Sequence, residues 1–247
     1  MIFFPLNQAI DALCRSFDVT LELQPAFPAK RVLIAVDVNN DNRGKRVSGG
    51  LVGMNAESVI GLMVSILMNA CGNDGDIVVK DEDNGPGNGR SYDVVAISQR
   101  EEKKETNPTS ASADASSSSS TTTWIPEYPR IDLAAKDSPA VIIKKMEKFV
   151  SSAVDVAALL NHCVKEELRY DAFIVLAGNL STPCPAAGPK AALANYRKTM
   201  GVEGAKMCVV GVAAKMFTIA DPDDHNSLDV LGMGASCVHQ IRDFLMA

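Results

Sequence analysis

Apolar residues along this chain follow two rhythms. Short unbroken runs recur at Val32-Leu33-Ile34-Ala35-Val36, Ala172-Phe173-Ile174-Val175-Leu176 and Met207-Cys208-Val209-Val210-Gly211-Val212. Runs of this length, rich in β-branched residues and without polar alternation, predict strands covered on both faces, as in a parallel sheet. Other apolar positions return every three or four residues. Val59, Leu62, Met63, Ile66, Leu67 and Ala70 do so behind Asn55, whose short amide can cap a helix.

Ser138-Pro139 opens a second helix, carrying Ile142, Ile143, Met146 and Phe149, because proline suits the first turn. A third is predicted from Asp155 to Leu168. A fourth runs near Pro189 to Met200 and stops at Gly201, and a fifth spans Cys237 to Leu245. Tyr92 to Ile97 reads as a further strand. Trp124 to Ile131 reads as an edge strand, since Pro126 and Pro129 lack the N–H that a central strand donates. Strands alternating with helices predict an α/β fold: a doubly wound, mostly parallel sheet with helices on both faces. One domain spanning 1–247 accounts for the whole pattern.

Two stretches interrupt it. Residues 99–123 hold Glu101-Glu102-Lys103-Lys104-Glu105 and then Ser116 to Ser120 and Thr121 to Thr123. With almost nothing to bury, they are expected to form a long, disordered, low-complexity insertion. A smaller insertion is expected at Asp81 to Gly89, around the turn-forming Asp83-Asn84-Gly85-Pro86-Gly87.

Composition changes this picture little. Of 247 residues, 47% are hydrophobic and 22% charged, enough apolar surface for a sizeable core. No apolar run reaches the eighteen or so residues of a membrane span. The start, Met1-Ile2-Phe3-Phe4-Pro5, is short and lacks the basic segment of a secretion signal. The expected location is the cytoplasm, with the nucleus second. Six scattered cysteines, with no C-x-x-C pair, are expected to be reduced and structural.

Charge matters more. The formal net charge is −6, whereas nucleic-acid binders gain most of their affinity from basic surface. Contact with RNA would have to come from local patches, and two offer themselves: Lys144 with Lys145, and Arg197 with Lys198. Solvated helix faces explain both equally well.

The chemistry of a parallel sheet belongs beyond the carboxyl ends of its strands. There the first strand delivers Asp37, followed by Asn39 and Asp41. Alternation would let their oxygens converge, and hard cations such as Mg²⁺ take oxygen ligands. Two carboxylates about 4 Å apart repel by roughly 4 kcal/mol at an effective dielectric near 20, which a cation would relieve. A polar Asn- and Asp-rich turn is the plainer alternative. Gly85, Gly87 and Gly89 do not sit between a strand and a helix, as a phosphate loop must. Asp221-Pro222-Asp223-Asp224 lacks the features of a calcium loop and reads as a turn or helix start. His162, His225 and His239 stand in no ligand spacing, and no nucleophile elbow is present, so no enzyme activity is expected.

The run Lys30 to Asp37 resembles the opening strand of a von Willebrand A domain. Asp171-Ala172-Phe173-Ile174-Val175, then Ala191, Leu193, Tyr196, Arg197 and Lys198, and above all Phe217-Thr218-Ile219-Ala220-Asp221-Pro222-Asp223-Asp224 resemble the A-type domain of Ro ribonucleoproteins. Ala9 to Leu13 resembles the lead-in to that domain, and the likeness runs from about Pro5 to Leu245 outside the insertions.

The resemblance implies a metal-ion-dependent adhesion site, D-x-S-x-S after the first strand plus a Thr and an Asp from two later loops. Here D-x-S-x-S reads Asp37-Val38-Asn39-Asn40-Asp41, the Thr-Asp loop reads Val154-Asp155, and the last loop reads Ala177-Gly178-Asn179. Only Asp37 is unchanged, so the site is expected to be degenerate, with a divalent cation more often absent than bound. The resemblance also implies a partner role. In Ro proteins a ring of helical repeats takes small non-coding RNA, and the A-type domain closes the ring. The expected function is therefore a binding module of a Ro-like ribonucleoprotein in small-RNA binding or quality control. RNA would be reached through the larger assembly and protein partners through the carboxyl edge of the sheet, with no membrane role. A protein–protein scaffold without RNA is the alternative.

Overall fold

A computed structural model describes residues 31–47, 54–72, 92–103, 122–134, 137–151, 154–178, 180, 187–214, 219–234 and 236–247. Six strands form one sheet: β1 (Val32–Asp37), β2 (Tyr92–Lys103), β3 (Thr122–Glu127), β4 (Ala172–Ala177), β5 (Lys206–Gly211) and β6 (Ser227–Leu231). Their order is β3-β2-β1-β4-β5-β6. All neighbours are parallel except β2 and β3. The helices are α1 (Ala56–Gly72), α2 (Pro139–Met146), α3 (Val156–Lys165), α4 (Ala187–Met200) and α5 (Cys237–Met246).

Alternation within the buried strands sorts side chains to two faces. Val32, Ile34 and Val36 pack with α1, α2 and α5 in one core, through Val59, Met63, Leu67, Ile142, Met146 and Ile241. Leu33 and Ala35 face the other core with α3 and α4, through Leu159, Leu160, Cys163, Leu193 and Tyr196. The expected doubly wound α/β architecture is what the chain forms. Tyr196 anchors the second layer. Its hydroxyl accepts a hydrogen bond from the Tyr170 N–H and donates to the Tyr170 carbonyl oxygen at 3.0 Å.

Local chemistry explains the element ends. Asn55 Oδ1 accepts from the Ser58 N–H at 2.8 Å, which caps α1, and Gly201 takes φ +65° to end α4. Cys71, Cys163, Cys208 and Cys237 are buried, and burial pushes the Cys71 and Cys163 thiols up to about 12. Cys14 and Cys184 lie outside the described residues.

Three expectations need correction. The second helix stops at Met146, so Phe149 lies past its end while still packing on the core. β2 and β3 pair through Lys103↔Thr122, so residues 99–103 and 122–123 are ladder rather than insertion. An antiparallel ladder satisfies backbone groups whatever the side chains, so polar composition does not end a strand that has a partner. Residues 104–121 and the smaller insertion at 81–89 lie outside the described residues. Finally, Asp221 to Asp224 form the turn that was one of their two readings, and it leads into β6, an edge strand that the pattern of the sequence did not reveal.

Candidate functional site

The strand order reverses at β1, because β2 and β3 lie on one side of it and β4 to β6 on the other. Such a switch point opens a crevice beyond the carboxyl ends of the strands, which is where ligands bind in open α/β sheets. Asp37 ends β1 at this place and is only 3% exposed. Its Oδ1 accepts from the Asn39 N–H and its Oδ2 from the Gly178 N–H, both at 3.0 Å. The second bond crosses the crevice from β1 to the residue after β4.

The residues after Asp37 do not alternate. Asn40–Arg43 form one turn of 3-10 helix, in which positions three apart share a side. Asn39 Oδ1 caps that turn by accepting from the Asp41 N–H at 2.9 Å. Asp41 stands exposed, and Asn42 turns inward to 1% exposure. The expected convergence of Asp37, Asn39 and Asp41 is thus corrected: a 3-10 turn replaces the assumed period of two. The residue it brings in, Asn42, was missed for the same reason.

Asn42 donates from Nδ2 to the Asp37 carbonyl oxygen at 3.3 Å. Its Oδ1 lies 1.8 Å from the point where a Cβ at Gly178 would stand, and has no hydrogen-bond donor. Only glycine at 178 leaves room for this amide. A cavity of about 10 Å³ remains between Asp37, Asn39, Asn42, Glu57 and Glu147, the room of a single water. Over it, the Arg43 guanidinium reaches Glu57 at 3.1 Å and Glu147 at 2.9 Å.

Among the described residues the other loops add no ligand. Asp155 Oδ1 caps α3 through the Ala158 N–H at 2.9 Å, and Val154 packs on the second core. Among the described residues no three His, Cys, Asp or Glu side chains gather to hold a metal.

The two basic pairs are kept apart. Lys144 and Lys145 sit on α2, against one face of the sheet, while Arg197 and Lys198 sit on α4, against the other. Two of the four charges are also engaged. Lys145 Nζ lies 2.7 Å from Asp137 Oδ2 and 2.8 Å from the Asp132 carbonyl oxygen. Arg197 reaches the Ala205 carbonyl oxygen from Nε and Nη2 at 2.9 and 2.7 Å, and Asp224 from Nη1 at 2.8 Å. Lys144 and Lys198 are exposed.

A groove of about 450 Å³ lies at the opposite end of the sheet between the loop before β6 and Phe244 of α5. Asp221, Asp224 and Asp229 line it, which disfavours phosphate. Asp229 there accepts from the Ile219 N–H at 2.8 Å and the Ala220 N–H at 3.1 Å, holding these two residues of the Phe217 to Asp224 motif against β6.

The family model of the Ro60 vWA domain matches residues 100–245, more than half of the chain. The chain belongs to the Ro60 vWA domain family. An RNA-binding protein RO60 of Deinococcus radiodurans is 28% identical over 118 residues, covering 48% of this chain and 22% of that protein. An RNA-binding protein RO60 of Caenorhabditis elegans is 28% identical over 91 residues, 37% of this chain and 14% of that protein. The crystal structure of the Deinococcus radiodurans RO (RSR) protein superposes with a TM-score of 0.69 at 20% identity. It covers 99% of this chain and 39% of that one, and it shares the fold. The chain therefore spans well under half the length of each of these relatives. The resemblance in the Asp171 and Phe217 motifs lies within this Ro60 vWA match, and Asp37 lies before it.

Proposed function

We infer that this chain is the vWA portion of a Ro-like RNA-binding protein, acting as a binding module rather than an enzyme. The observation that carries the reading is the Ro60 vWA match over residues 100–245, joined to a sheet whose strand order reverses at β1. RNA is reached through a larger ribonucleoprotein, with small non-coding RNA the class of ligand. The vWA portion supplies protein contacts at the carboxyl edge of the sheet, around Asp41 and the β4 end. Its net charge of −6 and its divided basic pairs suit that role better than primary capture of phosphate. The metal-ion-dependent adhesion site is degenerate, Asp37 being the one ligand of the pattern that is kept. Free, buried Cys163, Cys208 and Cys237 support a reducing compartment, the cytoplasm.

The test is to tag the native full-length protein, recover it at low and at high salt, and sequence the RNA that accompanies it. Discrete small structured RNAs, lost at high salt, are the expected result. Because exposed Lys144 and Lys198 are not the main RNA contacts, Lys144→Glu with Lys198→Glu should leave that recovery within about twofold. A drop of tenfold or more would move the RNA surface onto this domain. Recovery of proteins alone would leave a scaffold without an RNA role.

A further inference from the structure

The family resemblance expects a cation at the switch point, and the described residues do not fit one. Mg²⁺ asks for near-octahedral oxygen ligands at about 2.0–2.1 Å. Both Asp37 oxygens already accept backbone N–H groups, and Asn39 Oδ1 caps the 3-10 turn. Asp155 caps α3, and Val154 and Gly178 carry no side-chain oxygen. The one buried oxygen here without a donor, Asn42 Oδ1, occupies the space a side chain at 178 would need.

We propose that the Asn42 amide replaces the cation as the cross-link of this site, so that the contact surface is assembled without a divalent metal. Three segments close on one another. Asn42 Nδ2 holds the Asp37 carbonyl oxygen, Asn42 Oδ1 lies against Gly178, and the Gly178 N–H holds Asp37 Oδ2. Uncharged donors thereby hold Asp37 both to the turn after β1 and to the residue after β4, and Asn42 fills the space between them. Arg43, seated between Glu57 and Glu147, answers the nearby carboxylates that would otherwise draw a cation.

Asn42 and Gly178 are matched by shape. The resemblance has an aspartate in the loop that reads Ala177-Gly178-Asn179, and at 178 its Cβ would stand 1.8 Å from Asn42 Oδ1. Restoring the acid alone makes a collision and not a site. Restoring it while removing the amide, Asn42→Gly with Gly178→Asp, opens the hollow and sets a second carboxylate beside Asp37. This inference stands on geometry at 37, 42 and 178 and does not depend on the RNA reading.

The experiment is a Mn²⁺ titration of the full chain followed by water-proton relaxation. The unmodified chain is expected to show no saturable binding into the millimolar range. The double variant should gain it, and adding Asp37→Asn should abolish the gain. Saturable binding by the unmodified chain that Asp37→Asn removes would overturn the proposal, as would a folded double variant that binds no Mn²⁺. Should the double variant fail to fold, hydrogen exchange on the unmodified chain decides. The Gly178 N–H and the Asn42 Nδ2 protons should exchange equally slowly in EDTA and in Mg²⁺. Protection that appears only with Mg²⁺ would overturn it.

Discussion

Arg197 Nη1 donates to Asp224 Oδ2 at 2.8 Å, closing a clamp between α4 and the turn that leads into β6. The same guanidinium holds the Ala205 carbonyl oxygen, and Ser227 Oγ donates to the same Asp224 oxygen at 2.7 Å. One planar cation thus organises the end of a helix, the start of β5 and the start of β6. Its five donors suit several acceptors at once, which a lysine ammonium could not match.

Arg197→Met should therefore cost about 2–3 kcal/mol of unfolding free energy, since hydrogen bonds to charged groups are among the stronger ones and the pair is largely shielded. Arg197→Lys should fall between. Chemical denaturation of the two variants measures this. A loss below roughly 0.5 kcal/mol for Arg197→Met would assign the residue to the solvated surface instead.

Acid should weaken the fold through a small set of carboxylates. The hydrogen bond from Lys145 holds Asp137 below the ordinary range, and that from Lys190 does the same for Asp221. Burial opposes the charge on Asp224, but bonds from Ser227 and Arg197 outweigh it and lower that value too. The stabilisation from these three is complete above the unfolded value of about 4 and is lost as pH falls through the lower native values. Asp229 acts in the opposite sense. Burial raises it despite two backbone donors, so its share is complete at low pH and is lost as pH rises through the raised value. Denaturation midpoints should hold down to about pH 4 and fall below it. In Asp224→Asn the fall should be shallower, starting from a lower plateau.

Gly178→Ala should destabilise the chain by about 1–3 kcal/mol, the usual cost of forcing atoms into a packed site. Its Cβ would meet Asn42 Oδ1 at 1.8 Å and Asn42 Cγ at 2.5 Å. Asn42→Ala should recover part of that loss. A double-mutant cycle by urea denaturation should show coupling of at least about 0.5 kcal/mol, and additivity would mean that the two residues do not press on each other.

Tyr196→Phe keeps the ring but removes the acceptor of the buried Tyr170 N–H. An unsatisfied buried donor costs about 1–3 kcal/mol. Thermal unfolding should report that loss, while the edge-to-face ring contact with Phe173, at 4.8 Å between centroids, should persist.

The strands and the two-layer core were legible because burial on both faces leaves only apolar residues in a run, and that signal is local. Val32 to Val36 and Ala172 to Leu176 announce themselves for this reason. β6 did not. Its burial is mostly partial, and Ser227 to Leu231 hold their place through β5 and not through their own apolar content. The cap at Asn55 was local too, whereas Asp155 read as a helix start and a lost ligand loop, and its bond to the Ala158 N–H shows it to be a cap.

The candidate site divides along the same line. That Asp37 ends a strand at a carboxyl edge, and that the residues of a metal-binding pattern around it have changed, follow from local sequence. What replaced them follows from packing between distant segments. Whether the chain after Asp37 alternates or coils is a difference of one turn, and it chose Asn42 over Asp41 for the interior. That Gly178 admits the Asn42 amide depends on β4 lying beside β1, two segments 141 residues apart at Asp37 and Gly178. The division of Lys144 and Lys145 from Arg197 and Lys198 has the same origin. Local pattern states which face of a helix is wet, but which side of the sheet the helix covers is settled only when the strands take their order.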